Sequence, residues 1–364
     1  MALAEDRLTA RPSGRAADRT ARPPRDRSDT MLAQAPTWAW ALAAVLILMP
    51  LLASDFVLYS IFGYGFILGM IALSLMFLGG YGGMVSLTQM TVAGLAGYMT
   101  AIFGTSAIET ISLFWPWYLA LPMAIAIATA FGTLSGLLAV RTEGIYTIMI
   151  TLAIAAGMFN FTLQNYTIFN GFSGFNGVLP PSLFGVDWRT AVPFYYLSLV
   201  MAALSYWLVL YVSRSPFGLA LQGVRDNPRR MAALGFNVTA HRVAAYAFAS
   251  FIAAVAGVLL VWQSQQIVPG TAGIGAVIDI LVIAVVGGMG HPIGPFIGAL
   301  IYIVLRTFAL DALVSVGLDG ERFRLLVGLG FLAIVYFSPD GVLGLRRRWL
   351  EGRGRDPLTG ERGE

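Results

Sequence analysis

Few side chains in these 364 residues can do chemistry, and those that can are separated by long apolar runs. The chain has no cysteine, which excludes thiol catalysis, disulfides and Cys-based metal sites. It also has no lysine, so no Walker A loop, whose terminal Lys must reach the β and γ phosphates, can be present. The two histidines, His241 and His291, each lack a second ligand at metal spacing, and no metal or cofactor is expected. Gly288-Met289-Gly290 followed by Gly294 has the wrong spacing for a dinucleotide fingerprint, and no strand precedes it. What remains is polar chemistry inside apolar sequence. Ser86 and Gln89 lie three apart and share one face of a helix. Thr147, Thr151, Met158, Thr162 and Asn165 fall in a narrow wedge at about 3.6 residues per turn. Such a stripe avoids lipid and faces either a neighbouring helix or a cavity. Ser86, Gln89, Thr147, Thr151 and Asn165 are therefore candidates for a polar path. Asp279 lies about 9 Å into its apolar run at 1.5 Å per residue, and Arg306 lies at comparable depth on the next, antiparallel run. A structural pair would neutralise both where either alone is costly. The competing reading makes Asp279 the carboxylate of an ion-coupled carrier.

A second concentration of charge is the stretch from Ser213 to Arg242, which interrupts the apolar body. Arg214, Arg225, Arg229, Arg230 and Arg242 stand there against one acid, Asp226, a bias that places the loop on the cytoplasmic side. Asp226 or Asn227 can cap a helix, Pro228 suits its first turn and Gly235 the position just past its end. A short helix over Pro228–Leu234 follows, bearing Met231, Ala232, Ala233 and Leu234. Arg229 and Arg230 sit at its N-terminus, where the helix dipole disfavours cations. Local stability does not explain them; lipid phosphate or a docked protein partner does. The plain alternative is a solvated positive-inside linker.

The elements that must position these residues are membrane spans. Apolar residues make up 57% of the chain and charged residues 12%, and runs of about 20 apolar residues recur. The expected fold is an all-α polytopic membrane protein of about ten transmembrane helices, with glycine-rich broken or closely packed segments. The spans read as Trp38–Ala53, Phe56–Leu78, Met84–Gly104, Trp115–Val140, Ile145–Asn165, Ala191–Val212, Val243–Gln263, Ile274–Val286, Phe296–Leu310 and Phe323–Phe337. Gly132 and Gly136 are spaced as a packing face. Residues 1–35 read as a disordered Arg-rich cytoplasmic tail, with seven Arg and five acids in the first thirty. Residues 36–345 form the membrane domain, with 213–242 as its cytoplasmic loop, and 346–364 form a second cytoplasmic tail that opens on Arg346-Arg347-Arg348. Turn-rich residues 169–190 fall outside the cell. The net charge of +4 sits on these tails and the loop, so it reads as orientation and lipid contact, with no nucleic-acid partner. Gly82-Gly83-Met84 and Gly287-Gly288-Met289 suggest an internal repeat with both turns on the cytoplasmic side.

Four segments in order carry a family resemblance. They are Gly82-Gly83-Met84-Val85-Ser86-Leu87-Thr88-Gln89, then Arg141-Thr142-Glu143-Gly144-Ile145-Tyr146 through Thr151-Leu152-Ala153. Next come Ser215-Pro216-Phe217-Gly218 through Arg225-Asp226-Asn227 and Ala232-Ala233-Leu234-Gly235, and finally Gly287-Gly288-Met289-Gly290 through Gly294-Pro295 and Gly298-Ala299. Together they resemble the ABC-type high-affinity branched-chain amino acid importer permeases, in particular the LivM-type subunit. Departures are Thr88 in place of glycine, Thr147-Ile148 after Tyr146, and Asp279 where the family's usual acid is Glu. The resemblance implies a bacterial inner-membrane permease with both termini cytoplasmic and no enzymatic step of its own. It implies two cytoplasmic ATPase subunits, a LivH-type second permease and a periplasmic solute-binding protein over residues 169–190. Coupling to the ATPases would fall on Arg225, Asp226, Pro228, Met231, Ala232, Leu234 and Gly235. Branched-chain amino acids are the implied solute. Urea, amides or other small organic solutes remain alternatives, because relatives with the same body are associated with them.

Overall fold

The structure is a computed structural model and describes residues 44–108, 110–181 and 187–315. The expected tails, the last expected span Phe323–Phe337 and the first residues of Trp38–Ala53 lie outside the described residues. The rest of that first run, 44–51, is a short helix followed by a 3-10 turn, Met49–Leu51.

From residue 57 onward the architecture is helical. α1 spans Val57–Tyr81, α2 Gln89–Phe103, α3 Trp117–Ala139, α4 Ile145–Gln164 and α5 Ala191–Arg214. Two short helices follow, α6 Pro216–Asp226 and α7 Pro228–Ala233, then α8 Val238–Ser264, α9 Ile274–Gly287 and α10 Gly294–Ser315. Among the described residues α1, α3, α4, α5 and α8 are long and apolar enough to cross a bilayer. The expected count of about ten spans is not reached within these residues. A two-residue antiparallel ladder, Phe175–Asn176 against Gln266–Ile267, adds a trace of strand to the expected all-α fold.

Two ends of the bundle are defined by contacts. At one, the near end, Arg225 of α6 reaches Gly80 of α1, Met289 of the α9–α10 turn packs on Gly80, and Arg242 of α8 faces Glu143 of the α3–α4 turn. At the other, Ala107 donates to the Asn176 carbonyl and Val178 to that of Gln265, so the α2–α3, α4–α5 and α8–α9 connections meet. The two Gly-Gly-Met turns therefore share one end, as expected for them.

α1 is the hub: most of it is buried, against α8, α9, α10 and α5. α8 packs chiefly on α2 and α3. Close approach is what drives such packing in lipid, where apolar burial alone does not. A Cβ on Gly257 would meet the Ala93 backbone, and Cβ atoms on Gly132 and Gly136 would meet Ser250 and Tyr246 of α8. The Gly132–Gly136 packing face is thus used as its spacing indicates. By contrast α3, α4 and α5 bury only about a quarter of their apolar length within this chain.

One span departs from expectation. Helix begins at Gln89, not Met84, and 15 residues rise only about 22 Å. The missing depth is made up by the non-helical, turn-containing lead-in from Gly82 to Thr88. Non-helical backbone survives in a bilayer only when protein satisfies it. Here Met84 N donates to Leu78 O at 3.0 Å, Leu87 N to Thr151 Oγ1 at 3.2 Å, and Thr88 N to its neighbour Ser86 Oγ at 3.4 Å.

Candidate coupling loop and polar seam

The loop between α5 and α8 is two helices where the sequence suggested one. Ser215 caps α6 by accepting from Gly218 N at 3.3 Å, with Pro216 in the first turn. Ala220, Leu221 and Val224 form its buried face, and Leu221 joins a core with Phe77, Leu78, Met84 and Tyr246. The signal was legible: a Ser-Pro start and apolar residues at helical spacing. α7 is as expected within one residue. Asn227 Oδ1 accepts from Arg230 N at 2.9 Å, Pro228 sits in the first turn, and Gly235 just beyond has φ +89°, the left-handed region glycine tolerates.

The coupling candidates divide by geometry. Met231 turns back onto α6, where a Cβ on Gly223 would stand 2.8 Å from its sulfur. Leu234 is 67% exposed, and Ala232, Arg229 and Arg230 are exposed beside it. Phe236 and Leu219 are also exposed on this loop, two apolar positions the motif reading did not single out. Arg225 points toward the bundle: its Nη1 donates to Gly80 O at 2.5 Å while Nε and Nη2 pair with Asp226 at 2.8 Å. Nothing in the local sequence marks that inward turn. His241 stacks on Phe217 at 5.8 Å between ring centres and meets Phe236 edge-on at 5.7 Å, so it clamps the two ends of the loop.

The polar-path candidates separate as well. Ser86, Gln89, Thr147 and Thr151 are buried in a hydrogen-bonded seam between α1, α2, α3 and α4. Thr151 Oγ1 receives Leu87 N and donates to Thr147 O at 2.9 Å, and Thr147 donates to Thr142 O at 2.9 Å. Ser86 meets Thr88 at 2.9 Å, and Ser74 of α1 donates to Gln89 Oε1 at 3.2 Å. The Gln89 amide nitrogen and the Ser250 hydroxyl are buried in the seam without a hydrogen-bond partner among the described residues, and the Tyr246 hydroxyl faces Ser86. Asn165 stands apart: it caps the turn Tyr166–Phe169 through Ile168 N at 3.0 Å and lines an open groove of about 600 Å³ with Gly157, Asn160 and Gln164.

Asp279 and Arg306 come together around two tyrosines. Tyr302 lies beside Asp279 and Tyr64 beside Arg306, and each tyrosine also feels the other charge. In the α9–α10 turn, His291 Nδ1 accepts from Ile293 N at 3.2 Å. Burial first, then the nearby Arg214 charge, hold its pKa below the ordinary histidine value.

Comparison with known proteins places this geometry. The chain is 24% identical to the high-affinity branched-chain amino acid transport system permease protein LivM of Salmonella typhimurium, over 82% of this chain and 71% of that protein. It is 25% identical to LivM of Escherichia coli over 81% and 69%. It is also 25% identical to the ribose import permease protein RbsC of Haemophilus influenzae, over 69% and 77%. No solved structure gives a significant match. The family described as branched-chain amino acid transport system / permease component matches residues 57–335, which takes in every described helix from α1 to α10, and the chain belongs to it.

Proposed function

We propose that this chain is the membrane permease of an ABC importer, passing a small organic solute with energy supplied by separate cytoplasmic ATPase subunits. The observation that carries it is the α6–α7 pair. It is a folded, Arg-bearing element outside the apolar spans, with Leu234 and Phe236 exposed where a protein partner can cover them. Family membership and the LivM relatives favour branched-chain amino acids as the solute. The ribose permease among the relatives favours the same machine with another small solute. Relatives of both LivM and LivH type support a second, LivH-type permease beside this one. The lightly buried helices α3, α4 and α5 offer it a surface.

In this reading the near end is cytoplasmic, in a bacterial inner membrane, and α7 docks an ATPase through Leu234, Ala232, Arg229 and Arg230. A solute-binding protein meets the far end, where the Phe175–Asn176 ladder ties the 169–190 segment to the end of α8. The seam of Ser86, Gln89, Thr147 and Thr151 borders the path, and Asn165 stands at its outer mouth. Passage requires the Gly82–Thr88 lead-in to part from α4, since Leu87 and Thr151 close the seam between them. Asp279, Arg306, Tyr64 and Tyr302 are a neutralised structural cluster.

The experiment is reconstitution of the chain with its genomic neighbours in liposomes, leucine and ribose being offered as solutes. Uptake should need ATP inside and the binding protein outside. Concentrative uptake driven by a proton or sodium gradient without ATP would replace this reading with the carrier one.

A further inference from the structure

The C-terminal end of α1 is unusual backbone. Its last turn, Phe77–Tyr81, is wound as a π-helix, a wider turn that alters where carbonyls point. The chain then reverses through Gly82 and Gly83 into the lead-in of α2. Gly83 has φ +67°, and a Cβ there would stand 2.6 Å from Arg225 Cγ. The aliphatic stem of Arg225 therefore lies directly over this turn, in the space a side chain would fill. From that position Nη1 donates to the Gly80 carbonyl at 2.5 Å. A cation at the end of a helix is also favoured by the dipole. The opposite edge of the same guanidinium holds Asp226, the last residue of α6. The planar fork of Arg holds donors toward both at fixed angles, which a single ammonium nitrogen does not.

Gly80 is confined from its other side too. A Cβ on it would stand 2.5 Å from the Met289 carbonyl, and Gly79 faces the Met289 sulfur. The end of α1 is thus held between the α6 arginine and the α9–α10 turn. Since α1 is the buried hub, displacement of its end is passed to α8, α9 and α10 and to the lead-in that opens α2. α6 itself is seated by Leu221 and Val224, so it moves with the bundle surface rather than as a free loop.

We propose that Arg225 is a positioning residue, a latch that ties α6 to the end of α1 and converts movement of the α6–α7 pair into movement of the Gly79–Thr88 turn. The latch faces inward and serves transmission, while ATPase contact belongs to α7. Its role in transport rests on the importer reading above; the tie between α6 and α1 does not.

Two measurements separate these. The first is hydrogen exchange on the purified permease alone, reading the amides of Gly82, Gly83 and Met84, which are bonded back to residues 77–79. Arg225→Ala should speed their exchange at least tenfold, and Arg225→Lys, whose three donors sit on a single nitrogen with no fork, should fall between. Exchange unchanged in both variants overturns the latch, whatever the ATPases do. The second is the reconstituted complex. Arg225→Ala should retain its ATPase subunits on purification while solute moved per ATP hydrolysed falls at least tenfold, with partial rescue by Lys. Loss of the ATPases to the extent seen with an α7 variant would make Arg225 a docking contact and overturn the proposal, as would wild-type transport per ATP. If Arg225→Ala does not accumulate, Arg225→Lys decides alone: intermediate exchange and coupling support the latch, and wild-type values overturn it. Faster exchange in a permease whose wild type retains no ATPase would sink the importer reading and leave the tie standing.

Discussion

Replacing Leu234 with Asp puts the docking role of α7 under direct strain. Leu234 is 67% exposed, so about two thirds of its side chain is still available for burial in an interface. Full burial of a leucine is worth roughly 1.5–3 kcal/mol, which leaves about 1–2 kcal/mol to be lost on truncation to Ala, a 5- to 30-fold weaker complex. Asp adds a desolvation cost, limited by the option of taking up a proton. From an ordinary pKa near 3.9 to pH 7 that ceiling is about 4 kcal/mol. Arg230, one turn back, can return a few tenths of a kcal/mol by pairing with the new carboxylate. The expected loss with Asp exceeds that with Ala and has a ceiling of about 5–6 kcal/mol, roughly 10⁴-fold. Folding should be untouched, because exposed substitutions typically shift stability by no more than about 0.5 kcal/mol. Met231 is the internal contrast. It already packs on Gly223, so Met231→Ala should loosen the α6–α7 pair more than it weakens docking. The assay is copurification of tagged permease with its ATPase subunits, together with solute-stimulated ATP hydrolysis and a measure of permease level. A Leu234→Asp permease at normal level that holds its ATPases and concentrates solute would refute the assignment of α7.

Three further outcomes are expected. A single cysteine at Arg229, exposed on α7 of this cysteine-free chain, should react with an impermeant thiol reagent only after cells are opened; labelling in intact cells would invert the orientation. If Asp279 and Arg306 form a structural pair, exchanging them should restore protein level and transport lost in either single variant. Uptake that stays ATP-driven and wild-type with Asp279→Asn would show that no pair is needed. His291 has a lowered pKa in the folded state, so the unfolded chain binds more protons as pH falls. Its contribution to stability is whole above about pH 6.5 and lost as pH drops through the folded value. The melting temperature should therefore fall between pH 7.5 and 5.5, and less so in His291→Gln; equal slopes for the two proteins would remove His291 from that account.

Much of this protein is legible in order along the chain because a bilayer imposes one requirement on every span. Each must be long, apolar and internally hydrogen-bonded, so Ile145–Gln164 and Ala191–Arg214 begin at the residues where apolar character begins. Caps are equally local: Asn227, Pro228 and Gly235 bound α7 with no help from the rest of the fold. The Gly132–Gly136 face was readable too, though not that it meets Ser250 and Tyr246. Periodicity failed where tertiary contacts replaced helical hydrogen bonds. Val85 to Thr88 are as apolar as the helix that follows them. They stay outside the helix, turning at Leu87 and Thr88, where Thr151, 64 residues away from Leu87, supplies an acceptor, and no local pattern encodes a partner at that distance. The inward turn of Arg225 has the same origin. Charge counting sees one more cytoplasmic cation. Its orientation follows from a carbonyl presented by the π-turn of α1 and from the missing side chain at Gly83, both brought beside it only when α6 packs against the bundle.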